Sequence, residues 1–359
     1  MIEMLHKKCD FTCMWNGVED LYEWKTGNRA PEYLFFALSG FCSFVYLKQK
    51  NAECKKMIYW SNGLTKKMYD FMKDIVGFDY KVVEGKEFEY ALKIAKKSID
   101  SGNPVVMGAL DMYELPYYEK YFKKIHIPIH HILMIGYDDK ERKIFLNDCG
   151  KNEVQELGYD CLEKAWNVDL PGFSKKNTLF ILKFNENIKS VEEIFVSGLL
   201  KKCEENLNPP VSIFGIIAMR KFGKEILKWK DELNDEDYRK ALLHLVEYTG
   251  FPPSLPVGLI ENNNIDKEEI PENHKAARDK FSEVLKYLAN TFNIPKLEES
   301  AEMFQKSGIM IENLTKEITE YLKGDKMNIN TAPKIIEEIA NIEEKAYINI
   351  KNILKDRSK

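Results

Sequence analysis

The residues of this sequence with the clearest capacity for chemistry are cysteines near its start and, far along the chain, histidines and an aspartate. A cysteine attacks a carbonyl carbon only as the thiolate, so a nucleophilic cysteine needs surroundings that lower the pKa of its thiol. Cys9 precedes an apolar pattern of helical spacing, which predicts a helix over residues 9–24. The start of a helix stabilises a thiolate, whereas Cys13, one turn later, is expected to lie deeper and to matter for packing. The common alternative for any single cysteine is a small buried hydrophobic residue.

A base for this cysteine is expected at the start of a strand. Residues 130–137 (HHILMIGY) form an almost continuous apolar run that opens with His130 and His131. Consecutive side chains of a strand point to opposite faces, so only one of the two histidines can face the cysteine. Asp148 ends the next predicted strand of the same hairpin, where its carboxylate can accept a hydrogen bond from an imidazole. Together these residues predict a Cys–His–Asp site with Cys9 as the nucleophile and Asp148 orienting the base.

The elements that must position these residues divide the chain into two parts. Helical and strand patterns alternate up to residue 187, which predicts an α+β domain over residues 1–187. From residue 188 to residue 359 the apolar pattern has a helical period, interrupted by Pro-, Gly- and Asn-rich breaks. We interpret this second domain as a helical lid, an acceptor platform or a dimerisation module. Its helices are predicted at residues 191–205, 212–233, 235–248, 271–292, 296–323 and 332–354.

Composition limits the classes of partner. The net charge of -4 arises from 53 basic and 57 acidic residues spread along the chain, which argues against a nucleic-acid surface. No apolar run has the length of a membrane span, and no secretory signal is recognised. The seven cysteines form no paired framework, so a reduced, cytoplasmic protein is expected. Cys9 and Cys13 lack a second ligand pair, so no metal site is predicted.

Several segments resemble a known superfamily, the papain-like cysteine peptidases. The run CDFTCM from Cys9 is similar to their nucleophile helix, and the strand from His130 is similar to their histidine strand. The spacing from His130 to Gly136 selects His130 as the base, and NDCG at residues 147–150 corresponds to the residue that orients it. Over about residues 5–185 the chain resembles, within this superfamily, the amide-forming acyltransferases typified by butirosin biosynthesis protein H. The runs that carry this likeness are PEYLFFALSGFCSFVY, DMYELPYY and HHILMIGYDD.

The sequence departs from that pattern near the nucleophile. Lys8 stands where the family usually has a histidine directly before the cysteine, and Glu3 stands where papain-like peptidases have the glutamine of the oxyanion hole. The backbone N–H of Cys9 is therefore the one oxyanion donor that we expect.

The resemblance implies an acyl transfer that forms an amide. An acyl group would pass from the phosphopantetheine arm of an acyl or peptidyl carrier protein to Cys9, and then to a small amine such as an aminoglycoside or a diamine. No cofactor is expected besides that arm. A related type of enzyme makes amides in polythioamide assembly. Asp111, Tyr113, Glu114 and Tyr117 are expected to bind the cationic acceptor. A cytosolic cysteine peptidase and a catalytically silent binding module remain alternatives, and a homodimer through the helical domain is a further expectation.

Overall fold

The computed structural model describes residues 1–9, 12–61, 64–250, 274–324 and 329–357, and it divides into two compact units. The first unit comprises Met1–Phe35 and Leu64–Val191, and the second comprises Phe36–Gly63 and Glu192–Lys359. The expected division after residue 187 made the first domain continuous, whereas here an early segment joins the later helices. The reason is aromatic packing: Phe44 lies 6.0 Å from Phe222 and Tyr46 lies 6.1 Å from Trp229, measured between ring centroids.

The sheet of the first unit is antiparallel throughout. Among the described residues it has six strands, in the order β3-β8-β4-β5-β6-β7. A separate pair of antiparallel strands, β1 (Val45–Lys48) and β2 (Lys56–Tyr59), lies in the second unit. These six are β3 (Phe78–Val83), β4 (Val105–Leu110), β5 (His130–Asp138), β6 (Lys143–Asn147), β7 (Gln155–Gly158) and β8 (Leu179–Phe184). The apolar run of β5 is buried from His130 to Gly136, as a central strand covered on both faces requires.

The first helix of the chain packs closely on this central strand. The helices of the first half are α1 (Cys13–Thr26), α2 (Leu34–Ser39, which contains a boundary between the units), α3 (Thr65–Val76), α4 (Phe88–Asp100) and α5 (Tyr159–Trp166). A Cβ atom on Gly17 of α1 would lie 3.0 Å from Cβ of Leu133 in β5. Glycine thus permits the close approach that brings the start of α1 to the start of β5.

The second unit is mainly helical, as expected. Its helices are α6 (Val191–Leu207, which begins at the boundary), α7 (Gly215–Glu225), α8 (Trp229–Glu232), α9 (Asp235–Thr249), α10 (Arg278–Thr291), α11 (Leu297–Leu322) and α12 (Ala332–Arg357). The single helix predicted over residues 212–233 is wrong, because a 3-10 turn at Ile226–Lys228 separates α7 from α8. The start of the helix predicted at residues 271–292 lies outside the described residues. Within the described ranges, no helix combines the length and apolarity needed to cross a membrane.

Candidate active site

Helix α1 begins at Cys13, so the prediction that it begins at Cys9 is wrong. Cys9 is 3% exposed, its sulfur lies 3.0 Å from Oγ1 of Thr12, and its backbone N–H donates to the carbonyl of Cys149 at 2.7 Å. It is therefore a buried residue packed beside the turn that follows β6. The helix-start argument, made for Cys9, applies to Cys13.

Cys13 has the surroundings of a nucleophilic thiol. It is the first residue of α1, where backbone N–H groups lack carbonyl partners within the helix, and its side chain is half-buried. Burial disfavours the thiolate, but hydrogen bonding and positive charge from His130 and His131 prevail and lower the pKa of Cys13 to about 6. The sulfur also lies 3.9 Å from the carbonyl oxygen of Ile129.

His130, the first residue of β5, joins this thiol to a carboxylate. Its Nε2 lies 2.8 Å from Oδ2 of Asp148, which leaves Nδ1 for the interaction with Cys13. Burial disfavours the imidazolium, but the negative charge and hydrogen bond of Asp148 and the contact with Cys13 raise the pKa of His130 to about 10. The lowered pKa of Cys13 and the raised pKa of His130 both favour the pair of thiolate and imidazolium, which is the reactive state of a cysteine nucleophile.

Asp148 is fully buried and held by more than the histidine. The hydroxyl of Tyr117 donates to Oδ2 at 2.9 Å, the hydroxyl of Tyr118 donates to Oδ1 at 2.5 Å, and the backbone N–H of Gly150 donates to Oδ1 at 3.2 Å. Burial alone would raise the pKa of Asp148, but His130, Tyr118 and the backbone N–H of Gly150 lower it. Tyr117, expected to bind an acceptor, thus donates to Asp148. Tyr118 was missed, because the sequence shows no pattern that links it to a carboxylate thirty residues away.

His131 occupies a different environment from His130. Its Nε2 lies 3.0 Å from Oγ1 of Thr65, and its Nδ1 lies 3.2 Å from the carbonyl oxygen of Ile129. The ring packs over Gly108 of β4, where a Cβ atom would lie 2.3 Å from the imidazole. Of the two histidines, His130 is the one that contacts Asp148.

The site also contains the atoms of a possible metal cluster. Within the part of the chain that the structure describes, His130, Asp148 and Cys149 are the residues whose ligand atoms all lie within 4.8 Å of one another. His130 and Asp148 already bond to each other, and burial together with the charge of Asp148 raises the pKa of Cys149 well above its ordinary value. A cysteine binds zinc as the thiolate, and the raised pKa of Cys149 favours the thiol. This set of side chains therefore suits proton transfer better than metal binding.

The remaining residues predicted to bind an acceptor form a separate group of contacts. Asp111 accepts the backbone N–H of Tyr113 at 3.0 Å, and its Oδ2 lies 2.6 Å from Nδ1 of His126. Tyr113 stacks on His126 with the ring centroids 4.0 Å apart, and Glu114 pairs with Lys123. Each carboxylate thus faces a side chain that carries or can carry positive charge.

Comparison with known proteins places the first part of the chain beside one family model and a later part beside another. Residues 12–149 match the family model described as butirosin biosynthesis protein H, N-terminal, and residues 160–249 match that of a domain of unknown function (DUF4872). The first match contains Cys13, His130 and Asp148 and begins after Cys9. No curated protein matches the chain significantly. The first of these matches confirms the resemblance found in the sequence: residues 12–149 of this chain are similar to the N-terminal domain of butirosin biosynthesis protein H.

Proposed function

We propose that this chain is a biosynthetic enzyme that transfers an acyl group through Cys13 to an amine. The observation that carries the proposal is the thiol of Cys13 at the start of α1, beside the buried His130–Asp148 pair. A thiol pKa of about 6 beside an imidazole pKa of about 10 makes the thiolate abundant near neutral pH without an external base. We also propose that the domain is papain-like. The order along the chain supports this, with a cysteine on a helix followed by a histidine and an aspartate on a hairpin.

The first half of the reaction forms an acyl-enzyme. The thiolate of Cys13 attacks the carbonyl carbon of a thioester donor, and the C–S bond to the donor thiol breaks. The imidazolium of His130 is placed to give its proton to the departing thiolate. The backbone N–H of Cys13, at the helix start, takes the oxyanion role first expected for Cys9.

The second half transfers the acyl group to nitrogen. A neutral amine attacks the Cys13 thioester, His130 accepts a proton from that nitrogen, and the C–S bond breaks to restore the thiolate. Asp148, which Tyr117 and Tyr118 hold in place, stabilises the imidazolium whenever His130 carries the second proton. Water in place of the amine would give hydrolysis with the same residues, so the product depends on how the acceptor is held.

The substrates of this proposal are those that the resemblance implies. The donor is an acyl thioester on the phosphopantetheine arm of a carrier protein, so no resident cofactor is proposed. The acceptor is a small amine, and Asp111 and Glu114 are candidates to bind its charge, in which case the amine would replace His126 or Lys123 as their partner. Tyr113, stacked on His126, would border that acceptor.

The test is to incubate the full chain with an acyl-carrier thioester, with and without a diamine, and to identify the products by mass spectrometry. We expect amide as the main product when the diamine is present, with Cys9→Ala active and Cys13→Ala inactive. Rapid release of free acid whatever amine is added, or cleavage of peptides without a thioester donor, would favour the peptidase alternative. A Cys13 thiol that reacts with alkylating reagents no faster than buried Cys42 would favour the silent binding module.

A further inference from the structure

The first residues of the chain lie against the elements that carry the proposed catalytic residues. The backbone N–H of Ile2 donates to the carbonyl of Ile135 in β5 at 2.8 Å, and that of Cys9 donates to the carbonyl of Cys149 at 2.7 Å. Met1 packs so closely on β5 that a Cβ atom on Gly136 would lie 2.7 Å from its Cα. Residues 1–9 therefore form a strap from the middle of β5 to the turn that follows β6.

His6, in the middle of this strap, has an acceptor on each ring nitrogen. Its Nδ1 lies 2.6 Å from Oδ2 of Asp20, and its Nε2 lies 2.8 Å from the carbonyl oxygen of Lys151 and 3.1 Å from that of Asp148. Carboxylate and carbonyl oxygens only accept hydrogen bonds, so both nitrogens must carry a proton. His6 is thus an imidazolium, in agreement with a pKa that Asp20 and the two carbonyls raise although burial opposes it.

Asp20 connects this imidazolium to the helix of the nucleophile. It lies on α1 seven residues after Cys13, about two helical turns, and its side chain is fully buried. Its Oδ2 also accepts from Nδ2 of Asn147 at 3.3 Å, and its Oδ1 accepts from Nη1 of Arg29 at 2.7 Å. Asn147 ends β6 directly before Asp148, so one carboxylate joins α1 to the strand that leads to the catalytic carboxylate.

Other charges near this group come from the helix and the loop after it. Arg29 contacts Glu23 at 2.9 Å and Glu19 at 3.9 Å as well as Asp20. Burial, the largest influence, raises the pKa of Glu19 to about 8 despite Arg29, so this carboxyl is largely protonated near neutral pH. Asp20 and Glu23 then face Arg29 and His6, and Glu32 and Lys7 also act on this group. If His6 lost its proton, Arg29 would be the cation of this group that still contacts the buried Asp20.

We propose that His6 is a positioning residue for the Cys13 site: with Asp20 it fixes the backbone of the turn that carries Asp148 against the helix that carries Cys13. The inference deepens the proposed function and rests on it for the role of Cys13, but not for the geometry. Without this imidazolium, the carbonyl oxygens of Asp148 and Lys151 lose a shared donor, and Asp148 is held less firmly against His130. The thiolate of Cys13 then loses part of the positive charge that stabilises it.

The test measures the ionisation of Cys13 without any substrate, by ultraviolet absorbance of the thiolate and by the rate of alkylation as functions of pH. We expect His6→Gln to raise the pKa of Cys13 by about one unit. At a pH below that pKa, the fraction of Cys13 present as thiolate then falls about tenfold. His6→Lys, which restores a cationic donor, should recover part of that loss. His126→Gln is the matched control, since it removes an exposed histidine that also pairs with an aspartate.

The outcomes separate this inference from the proposed function. A lower melting temperature in His6→Gln with an unchanged titration of Cys13 would reduce His6 to a structural role and overturn the inference. An ordinary thiol titration of Cys13 in the unaltered protein would instead overturn the proposed function. If His6→Gln does not fold, nitrogen-15 NMR of histidine in the unaltered protein decides: we expect both ring nitrogens of His6 protonated near neutral pH, and a neutral ring would contradict the inference.

Discussion

At the scale of single residues, the account depends on the difference between two cysteines four positions apart. The sequence could place a nucleophile in this segment, because histidines and an aspartate at the right strand ends accompany it. It favoured Cys9 over Cys13, since the apolar pattern also fits a helix that starts one turn before the observed start of α1. Thr12 makes no side-chain capping bond to α1, so the start of the helix has no clear signal in the sequence. The hairpin, by contrast, predicted that His130 or His131 would meet Asp148, and the resemblance selected His130.

The ionised pair predicts a particular dependence on pH and on Asp148. The pKa of Cys13 is lowered to about 6, so alkylation should slow as the pH falls through that value. Asp148→Asn removes the charge that raises the pKa of His130, so the imidazolium weakens and the pKa of Cys13 rises. We expect alkylation near neutral pH to slow by about tenfold or more, measured by trapping with iodoacetamide. Asp111→Asn is the control, and an equal loss in both variants would contradict the specific role of Asp148.

At the scale of elements, close packing of α1 on β5 brings Cys13 to His130. The strands of the hairpin were predicted almost to the residue, because a buried central strand has a continuous apolar run. β7 and α5 were not predicted, because segments of four and eight residues are too short to show a clear period. The contact of α1 with β5 was also invisible, since a glycine in a helix does not reveal what approaches it.

Gly17→Ala tests this contact. The added methyl gains about 1 kcal/mol of helix propensity, but its Cβ would lie 3.0 Å from Cβ of Leu133, so the helix or the strand must move. Overpacking of this kind costs about 1–3 kcal/mol, and we expect a lower melting temperature together with slower alkylation of Cys13. Lys25→Ala, on the exposed end of α1, should change neither. Unchanged alkylation in a destabilised Gly17→Ala would show that helix position does not set the reactivity of Cys13.

At the scale of the whole molecule, two units with separate cores share one chain. The change from mixed to helical pattern was visible in the sequence, but the membership of Phe36–Gly63 in the second unit was not. That membership depends on contacts between residues more than a hundred positions apart, such as Phe44 with Phe222. The second unit contains a buried ion pair, Arg278 with Glu343, at 2.9 and 3.1 Å.

Glu343→Gln should destabilise the second unit without touching the proposed chemistry. Arg278 and Glu343 are almost fully buried, so neutralising one leaves the other as an uncompensated charge. The expected loss is about 3–5 kcal/mol of unfolding free energy, measured by denaturant titration. Glu338→Gln, which removes an exposed partner of Lys306, is the control and should cost little. A similar small effect at both positions would show that the buried pair contributes no net stability.

The most direct measurement of the central claim is the location of the acyl group in the acyl-enzyme. The full chain is mixed with a thioester donor in the absence of amine, quenched in acid, digested, and mapped by mass spectrometry. The account predicts the acyl group on Cys13, its loss in Cys13→Ala, and its persistence in Cys9→Ala. An acyl group found on Cys9, or labelling that survives Cys13→Ala unchanged, would contradict the account.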